Sequence, residues 1–415
     1  MNAPRFPRLM AAGLAAAAAA LIAGCQTTAP DKPKADQPQK PAPAPAPSPA
    51  PAGVAEIPGF EAAAFDALPA SDDGDWEKAR SAFRRSCSSR AFASAPLWSE
   101  ACARAADSGS ARGFFRENFT PWAVSADQAV DGTRISSDAD GLMTGYYEPI
   151  LEASAARSAS HAWPVLATPP DLIDVELASQ FPELKGKRVR GKLAGRKLVP
   201  YDDRRGIDKR TDLYPYAIAW LADPVDQLFL QIQGSGKLNV AGKGMIRVSY
   251  DDQNGHPYRA VARWLIDRGE MTRSEASMQK IRAWAKSHPD QVSELLAYNP
   301  SYVFFRTAAG DDLSLGPRGA QGVPLTPGAS VAVDSRRWKY GTPFFVKADQ
   351  GNPALHFARP VIAQDTGGAI RGIVRFDYFW GSGKAAGEAA GRQKSNARAW
   401  ALVPNGHAPE ELLRR

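Results

Sequence analysis

Residues 363–383 read AQDTGGAIRGIVRFDYFWGSG. From Ala369 to Phe379 the residues alternate as in a strand: Ile370, Val374, Phe376 and Tyr378 share one face, and Arg371, Ile373, Arg375 and Asp377 share the other. If the first face is core, Asp377 points away from it. A second carboxyl, Asp365, stands twelve positions earlier beside Gly367 and Gly368. Glycine-rich turns let a backbone approach a ligand closely and set a side chain at the edge of a cleft.

Working outward, more strands come before this run. Ser330–Asp334 ends in a third carboxyl, Asp334, and Thr342–Lys347 and Pro360–Asp365 follow. Further upstream the pattern turns helical. Tyr258, Val261, Ala262, Leu265 and Ile266 form one stripe between Pro257, suited to a first turn, and Gly269, just past an end. Thr272 and Glu275 make a capping-box pattern for a second helix through Met278, Ile281 and Trp284. A third helix carries Val292, Leu295 and Leu296 and stops at Asn299-Pro300. Before these, Trp163 to Leu238 reads as short β runs split by Pro, Gly and Asp, which suggests a barrel or sandwich. Gly141–Ile150 is aromatic and strand-like, whereas 55 to about 120 reads as helical, with Phe114, Phe115 and Phe119 as core candidates.

The N-terminus reads as a targeting segment. Arg5 and Arg8 precede an Ala/Leu-rich stretch too short to span a bilayer well. It ends in Ile22-Ala23-Gly24-Cys25, which resembles the lipobox of bacterial lipoproteins, where the Cys is lipidated after cleavage. Gln26, in place of an Asp, implies the outer membrane. Thr27 to about Gly53 is rich in Pro, Ala and Lys and is expected to be an extended tether. The chain carries a net charge of +7 and a pI near 9.2. In an exported protein that charge suits an anionic envelope polymer better than nucleic acid. Eleven of the residues from Lys185 to Arg210 are Lys or Arg, which fits either a solvated loop or attraction to an anionic surface. Cys87 and Cys102 both lie on apolar helix faces, as a disulfide or as two buried thiols. Gly234-Ser235-Gly236-Lys237 lacks the first Gly and the final Ser/Thr of a phosphate loop. The five His are scattered, so neither a metal nor any other cofactor is expected.

Glycosidic bond cleavage needs one carboxyl to protonate the leaving oxygen, usually with a second in support. Spacing alone does not show that Asp334, Asp365 and Asp377 converge. The pieces AVD (332–334), YGTPFFV (340–346), the run quoted above and Ala390-Gly391 together resemble the three-Asp domain of the membrane-bound lytic murein transglycosylase A family. GYYEP (145–149), VPYDDR (199–204), ADPVDQLFLQIQGSG (222–236) and NGHPYRAV (254–261) match its upstream block.

The resemblance implies a mainly β fold with helices: a double-psi β-barrel from 55–148 and 308–415, an inserted smaller β-barrel at 149–307, and a glycan groove between them. It implies cleavage of the β-1,4 bond from N-acetylmuramic acid to N-acetylglucosamine in peptidoglycan, with a 1,6-anhydro product and no water. The family's catalytic Asp falls on Asp377, as acid and then base. Asp365 is the candidate helper, both for keeping that acid protonated and for stabilising oxocarbenium charge. Asp334 would organise the barrel. Thr144, Gly145, Tyr146, Tyr147, Gln231, Gln233, Ser235 and Gly236 are the expected glycan contacts. The expected partners are peptidoglycan strands, the membrane through the lipid alone, and proteins of cell-wall synthesis or division. A hydrolase of another β-linked polysaccharide and a non-catalytic wall-binding lipoprotein stay open as alternatives.

Overall fold

The computed structural model describes residues 54–107, 109–130, 133–185, 187–308, 310–351 and 354–414. The targeting segment, Cys25 and the tether lie outside the described residues. No helix among the described residues is long and apolar enough to cross a membrane.

The chain is sheet-rich with helices on its flanks, and the strand pairing explains why. Gly141–Glu148 runs parallel to Arg375–Ser382, which lies antiparallel to Ser330–Val333. Ser330–Val333 runs parallel to Leu355–Asp365, and Leu355–Asp365 pairs antiparallel with Pro343–Gln350. Pro343–Gln350 pairs with Lys394–Pro404, which returns antiparallel to Gly141–Glu148. Six strands thus close into a ring with no free edge. Val331, Val333, Phe344, Phe376 and Tyr378 are all buried in the main core. Lys394–Pro404 also continues outward onto Phe119–Val130, which carries Val54–Ala62 and Thr133–Asp138.

The expected helical reading of 55–120 is corrected at its start. Val54–Ala62 is a strand, paired residue for residue with Val130 back to Trp122. Its partner lies far along the chain, so no local period reveals it. From Asp73 the helical reading holds. Asp73–Cys87 has Asp73 and Asp75 in its first turn and Arg84 and Arg85 in its last, which suits the helix dipole. Its buried stripe of Trp76, Ala79, Phe83 and Ser86 follows helical spacing. Trp76 packs on Phe345 of the ring.

Cys87, at the end of this helix, is disulfide-bonded to Cys102 of Ser99–Arg104, with Cα atoms 5.5 Å apart. The bond closes a loop of 15 residues. We expect Cys87→Ala/Cys102→Ala to lower unfolding free energy by about 3 kcal/mol. Urea titration with and without reductant checks this: the reduced wild type should match the variant.

Between the Gly141 strand and Ser330 the chain builds three smaller sheets. One has four strands, ordered Val303–Thr307, Gly244–Gln253, Ser235–Val240 and Ile150–Ala153. Trp163–Leu166 pairs with Ala217–Leu221, and Ile173–Asp174, Arg190–Ala194 and Lys197–Pro200 form the third sheet. Residues 51–415 nonetheless make one compact unit.

Local readings shift in this region. Pro224–Gln233, expected as strand, is a helix: the Asp223 side chain accepts from Val225 N at 2.8 Å, Pro224 opens it and Gly234 (φ 76) ends it. That cap chemistry is legible in the sequence. The helix expected from Pro257 begins at Val261, after Ala260 in extended conformation. Glu275 does reach back to Thr272 N (3.1 Å), but the helix starts at Met278 under Ser277. The expected strand Ala369–Phe379 starts only at Arg375, because Gly372 (φ 120) belongs to a preceding turn.

Candidate functional site

Ala332 lies in the strand between the two carboxyl-bearing strands. It faces Asp365 on one side and Asp377 on the other. Two strand spacings put the two Asp backbones about 10 Å apart. On its far side Asp377 faces Thr144. The Gly141–Glu148 strand alternates, so Thr144 and Tyr146 share one face and Met143 and Tyr147 the other. Four residues brought together from two distant stretches of sequence therefore meet on the ring.

The Thr144 hydroxyl donates to Asp377 Oδ1 at 2.5 Å. Arg375 Nη2 donates to Thr144 Oγ1 at 3.0 Å. Arginine has no acceptor, so Thr144 must spend its only hydrogen on Asp377. Oδ1 is thereby fixed as an acceptor, and an acidic proton belongs on Oδ2, which has no hydrogen-bond partner among the described residues. The Tyr146 hydroxyl donates to Asp365 Oδ2 at 2.9 Å, while Ala320 N and Thr366 N, each at 2.9 Å, donate to Oδ1. The Tyr146 ring rests on Phe379, 5.2 Å away.

Burial pushes the Asp377 carboxyl up to about 6, and the negative charge of Asp365 adds to the rise. The Thr144 hydroxyl and the Arg375 cation oppose it. Burial also raises Asp365, against its three hydrogen bonds. Burial, then Asp365, holds the Tyr146 phenol well above its ordinary range, so it stays a donor. Asp334 behaves oppositely. Burial would raise it, but hydrogen bonds from Arg336 Nε (2.9 Å) and Nη2 (2.8 Å) and from Gly372 N (3.0 Å) bring it down to about 2. It is a permanent anion tying the turn before Arg375.

The expected glycan contacts divide. Thr144 and Tyr146 join the two Asp. A side chain at Gly145 would have its Cβ 2.7 Å from Trp380 Nε1 and Gln393 Oε1, so glycine is needed there for packing. Tyr147 is buried against Ala386 and Ala390 on the opposite face. Its N–H donates to Gln233 Oε1 at 3.0 Å, which ties the ring to the helix Pro224–Gln233. Tyr147, Gly145, Gln233, Phe229, Tyr258 and Met278 border an apolar groove of about 150 Å³. Gln231 is elsewhere: it is buried and accepts from Arg204 Nη2. Gly236 is also buried, where a Cβ would sit 2.4 Å from Leu230. Ser235 is paired with Ser249 in the four-stranded sheet.

Sequence reasoning passed over Arg375, although its period-2 relation to Asp377 was visible. Glu148 within GYYEP stood out only as bearing on glycan preference, and its structural part was missed. This carboxylate is fully buried and accepts from Arg247 Nε at 2.6 Å and from Ser382 Oγ at 2.7 Å. Arg247 also donates to the carbonyl oxygens of Asp312 and Leu315. One ion pair thus joins the last residue of the Gly141 strand, the ring strand after Asp377 and the four-stranded sheet. Among the described residues no cluster of His, Cys, Asp and Glu could hold a metal ion.

Residues 142–306 match the family described as the MltA specific insert domain, and residues 329–403 match the 3D domain. The membrane-bound lytic murein transglycosylase A of Escherichia coli K12 is 33% identical over 267 residues. That match takes in 62% of this chain and spans 64% of the length of the relative. The crystal structure of MltA from Neisseria gonorrhoeae, in a monoclinic form, is 33% identical, with a TM-score of 0.71. The match covers 87% of this chain and 97% of that one. E. coli MltA crystallised with bound chitohexaose is 26% identical, with a TM-score of 0.62 and coverage of 83% and 94%.

Proposed function

Because this chain belongs to the membrane-bound lytic murein transglycosylase A family, we propose that it is a lytic transglycosylase of peptidoglycan with Asp377 as acid and then base. The observation that carries the reading is the Asp377 carboxyl, raised to about 6, with Oδ1 held by Thr144 and Oδ2 free. A group of that acidity is poised to be protonated in part at envelope pH and to give and retake a proton.

The cycle balances on one carboxyl. Asp377 Oδ2–H protonates the oxygen joining N-acetylmuramic acid to N-acetylglucosamine. The C1–O bond breaks and positive charge develops at C1. Asp365, two strands from Asp377 along the ring wall, stabilises that charge. The Asp377 carboxylate then accepts the proton of the muramoyl C6 hydroxyl as its oxygen bonds to C1. A 1,6-anhydro end forms, the enzyme returns to its acid form, and no water is consumed. The ring is a double-psi β-barrel on this reading, residues 149–307 are the insert, and the strand of sugars lies in the groove between them. Bound chitohexaose in the E. coli relative supports a glycan occupant. The name of the E. coli K12 relative supports a site of action at a membrane, here the outer membrane through lipid on Cys25.

Digestion of purified sacculi followed by mass spectrometry tests the reading. Anhydromuramoyl ends are expected. Reducing ends in their place would make the protein an ordinary hydrolase, and no release at all would leave a binding protein. The pH profile tests the assigned acid. Asp365→Asn removes a charge that raises Asp377, so the alkaline limb of activity should move to lower pH. Arg375→Met removes a cation that lowers it, so that limb should move up. Identical limbs in both variants would remove Asp377 from the acid role.

A further inference from the structure

We propose that a second cavity, beside the groove, binds the peptide stems carried by peptidoglycan; this rests on the groove being the glycan site. The cavity measures about 350 Å³ and is bordered by Asp203, Arg205, Arg259, Trp264, Glu294 and Tyr298. That volume suits a few residues of peptide.

Its position follows from one short segment. Tyr258 and Ala260 border the apolar groove with Gly145 and Tyr147. Arg259, between them, borders the cavity instead. The segment before the helix Val261–Asp267 is therefore a partition one residue thick between the two spaces. A sugar strand on one side holds its lactyl-linked peptides within reach of the other.

Most of the cavity's polar groups are unspent, although Asp203 Oδ1 accepts from Gly206 N at 2.8 Å. Among the described residues the guanidinium groups of Arg205 and Arg259, the Trp264 indole N–H, the Tyr298 hydroxyl and the Glu294 carboxylate have no hydrogen-bond or ion-pair partner. Both arginines nonetheless rise from fixed backbone. Arg259 N donates to Asn299 Oδ1 at 3.1 Å. Arg205 follows Arg204, whose buried guanidinium donates to the carbonyls of Asn299 and Ser301. The Trp264 ring is braced edge-on by Trp284, 5.5 Å away. Two guanidiniums match carboxylates in forked geometry. Glu294, with the Asp203 oxygen not used on Gly206 N, suits an ammonium, and Tyr298 with the part of the Trp264 ring not covered by Arg268 suits the aliphatic stems between. A stem peptide with several free carboxylates and a diamino acid offers that set; a stripped strand offers only the single lactyl carboxylate of each muramoyl residue and no ammonium.

The test compares peptide-bearing glycan strands with the same strands stripped by an amidase, using the full chain and its Arg205→Ala/Arg259→Ala variant. The variant should lower kcat/KM on peptide-bearing strands roughly 10-fold or more relative to stripped ones, through KM. An unchanged ratio would overturn the proposal. Calorimetric titration with the free tetrapeptide L-Ala-γ-D-Glu-diaminopimelate-D-Ala gives a second readout. Binding by the wild type and its loss in the variant support the proposal, and equal behaviour of the two sinks it. If the wild type cuts neither strand, the lytic reading falls, and the titration still decides this one.

Discussion

Asp377→Asn is expected to cut peptidoglycan turnover by about 10²–10⁴-fold, the range a positioned general acid supplies, and to leave the fold intact. The amide oxygen can still accept from the Thr144 hydroxyl, so the packing at the site is kept. The same substitution should stabilise the protein near neutral pH. A carboxyl whose pKa is raised from 3.8 to about 6 by folding favours its protonated form in the fold. Its stabilising contribution is complete below pH 3.8 and disappears as pH rises through about 6. Above that, wild type holds a charge in a site that resists it, at a cost on the order of 2–3 kcal/mol. Asn carries no charge at any pH. Thermal melts should therefore show the inactive variant above wild type at pH 7.5 and level with it at pH 3.5. A variant that is inactive and less stable at pH 7.5 would point to a structural part for Asp377.

Arg247→Ala is expected to cost about 3–5 kcal/mol, because it leaves the fully buried Glu148 charged without its main partner. Lys237, 3.5 Å from Glu148, is too far to replace both Arg247 bonds. Activity should fall with stability, since Glu148 follows Thr144 and Tyr146 on one strand and grips Ser382 beyond Asp377. Pairing Glu148→Leu with Arg247→Met removes both charges and should recover much of the stability but less of the activity. Denaturant titration and sacculus digestion of the two variants separate these effects. Equal stability of the single and double variants would show that the pair is not what holds the junction.

Much of the site was legible because it is made of short runs with strong local signals. Period-2 alternation placed Asp377 on a strand, and the resemblance marked Thr144 as a glycan contact, but the pairing of the two shows only in the fold. Asp365 beside its glycines was equally plain. What stayed hidden depends on contacts between residues far apart in sequence. Gln231 looks like a sugar-binding amide within QIQGSG, but helical phase turns it inward onto Arg204, two positions from Gln233, which does face Tyr147. Nothing local in GYYEP marks Glu148 as buried, and only the strand carrying Arg247 shows it so. The first strand, Val54–Ala62, has too little apolar alternation to announce itself and is specified by its partner. The disulfide was open in sequence because two helices can share a core with or without bringing their thiols into register.

The ring has a consequence for when this protein becomes active. Thr144 and Asp377 are separated by 233 positions yet touch through one hydrogen bond. Among the described residues the Gly141 strand has ring neighbours only at Arg375–Ser382 and Lys394–Pro404. A chain emerging from its N-terminus therefore cannot seat that strand until nearly all of its length has appeared, and pairing over such separations is slow. During that interval Asp377, Thr144 and Asp365 exist only as unconnected pieces. Synthesis itself acts as a safety catch on the proposed reading: a shortened product ending before the final strands lacks the assembled Thr144–Asp377 pair and is expected to be inert.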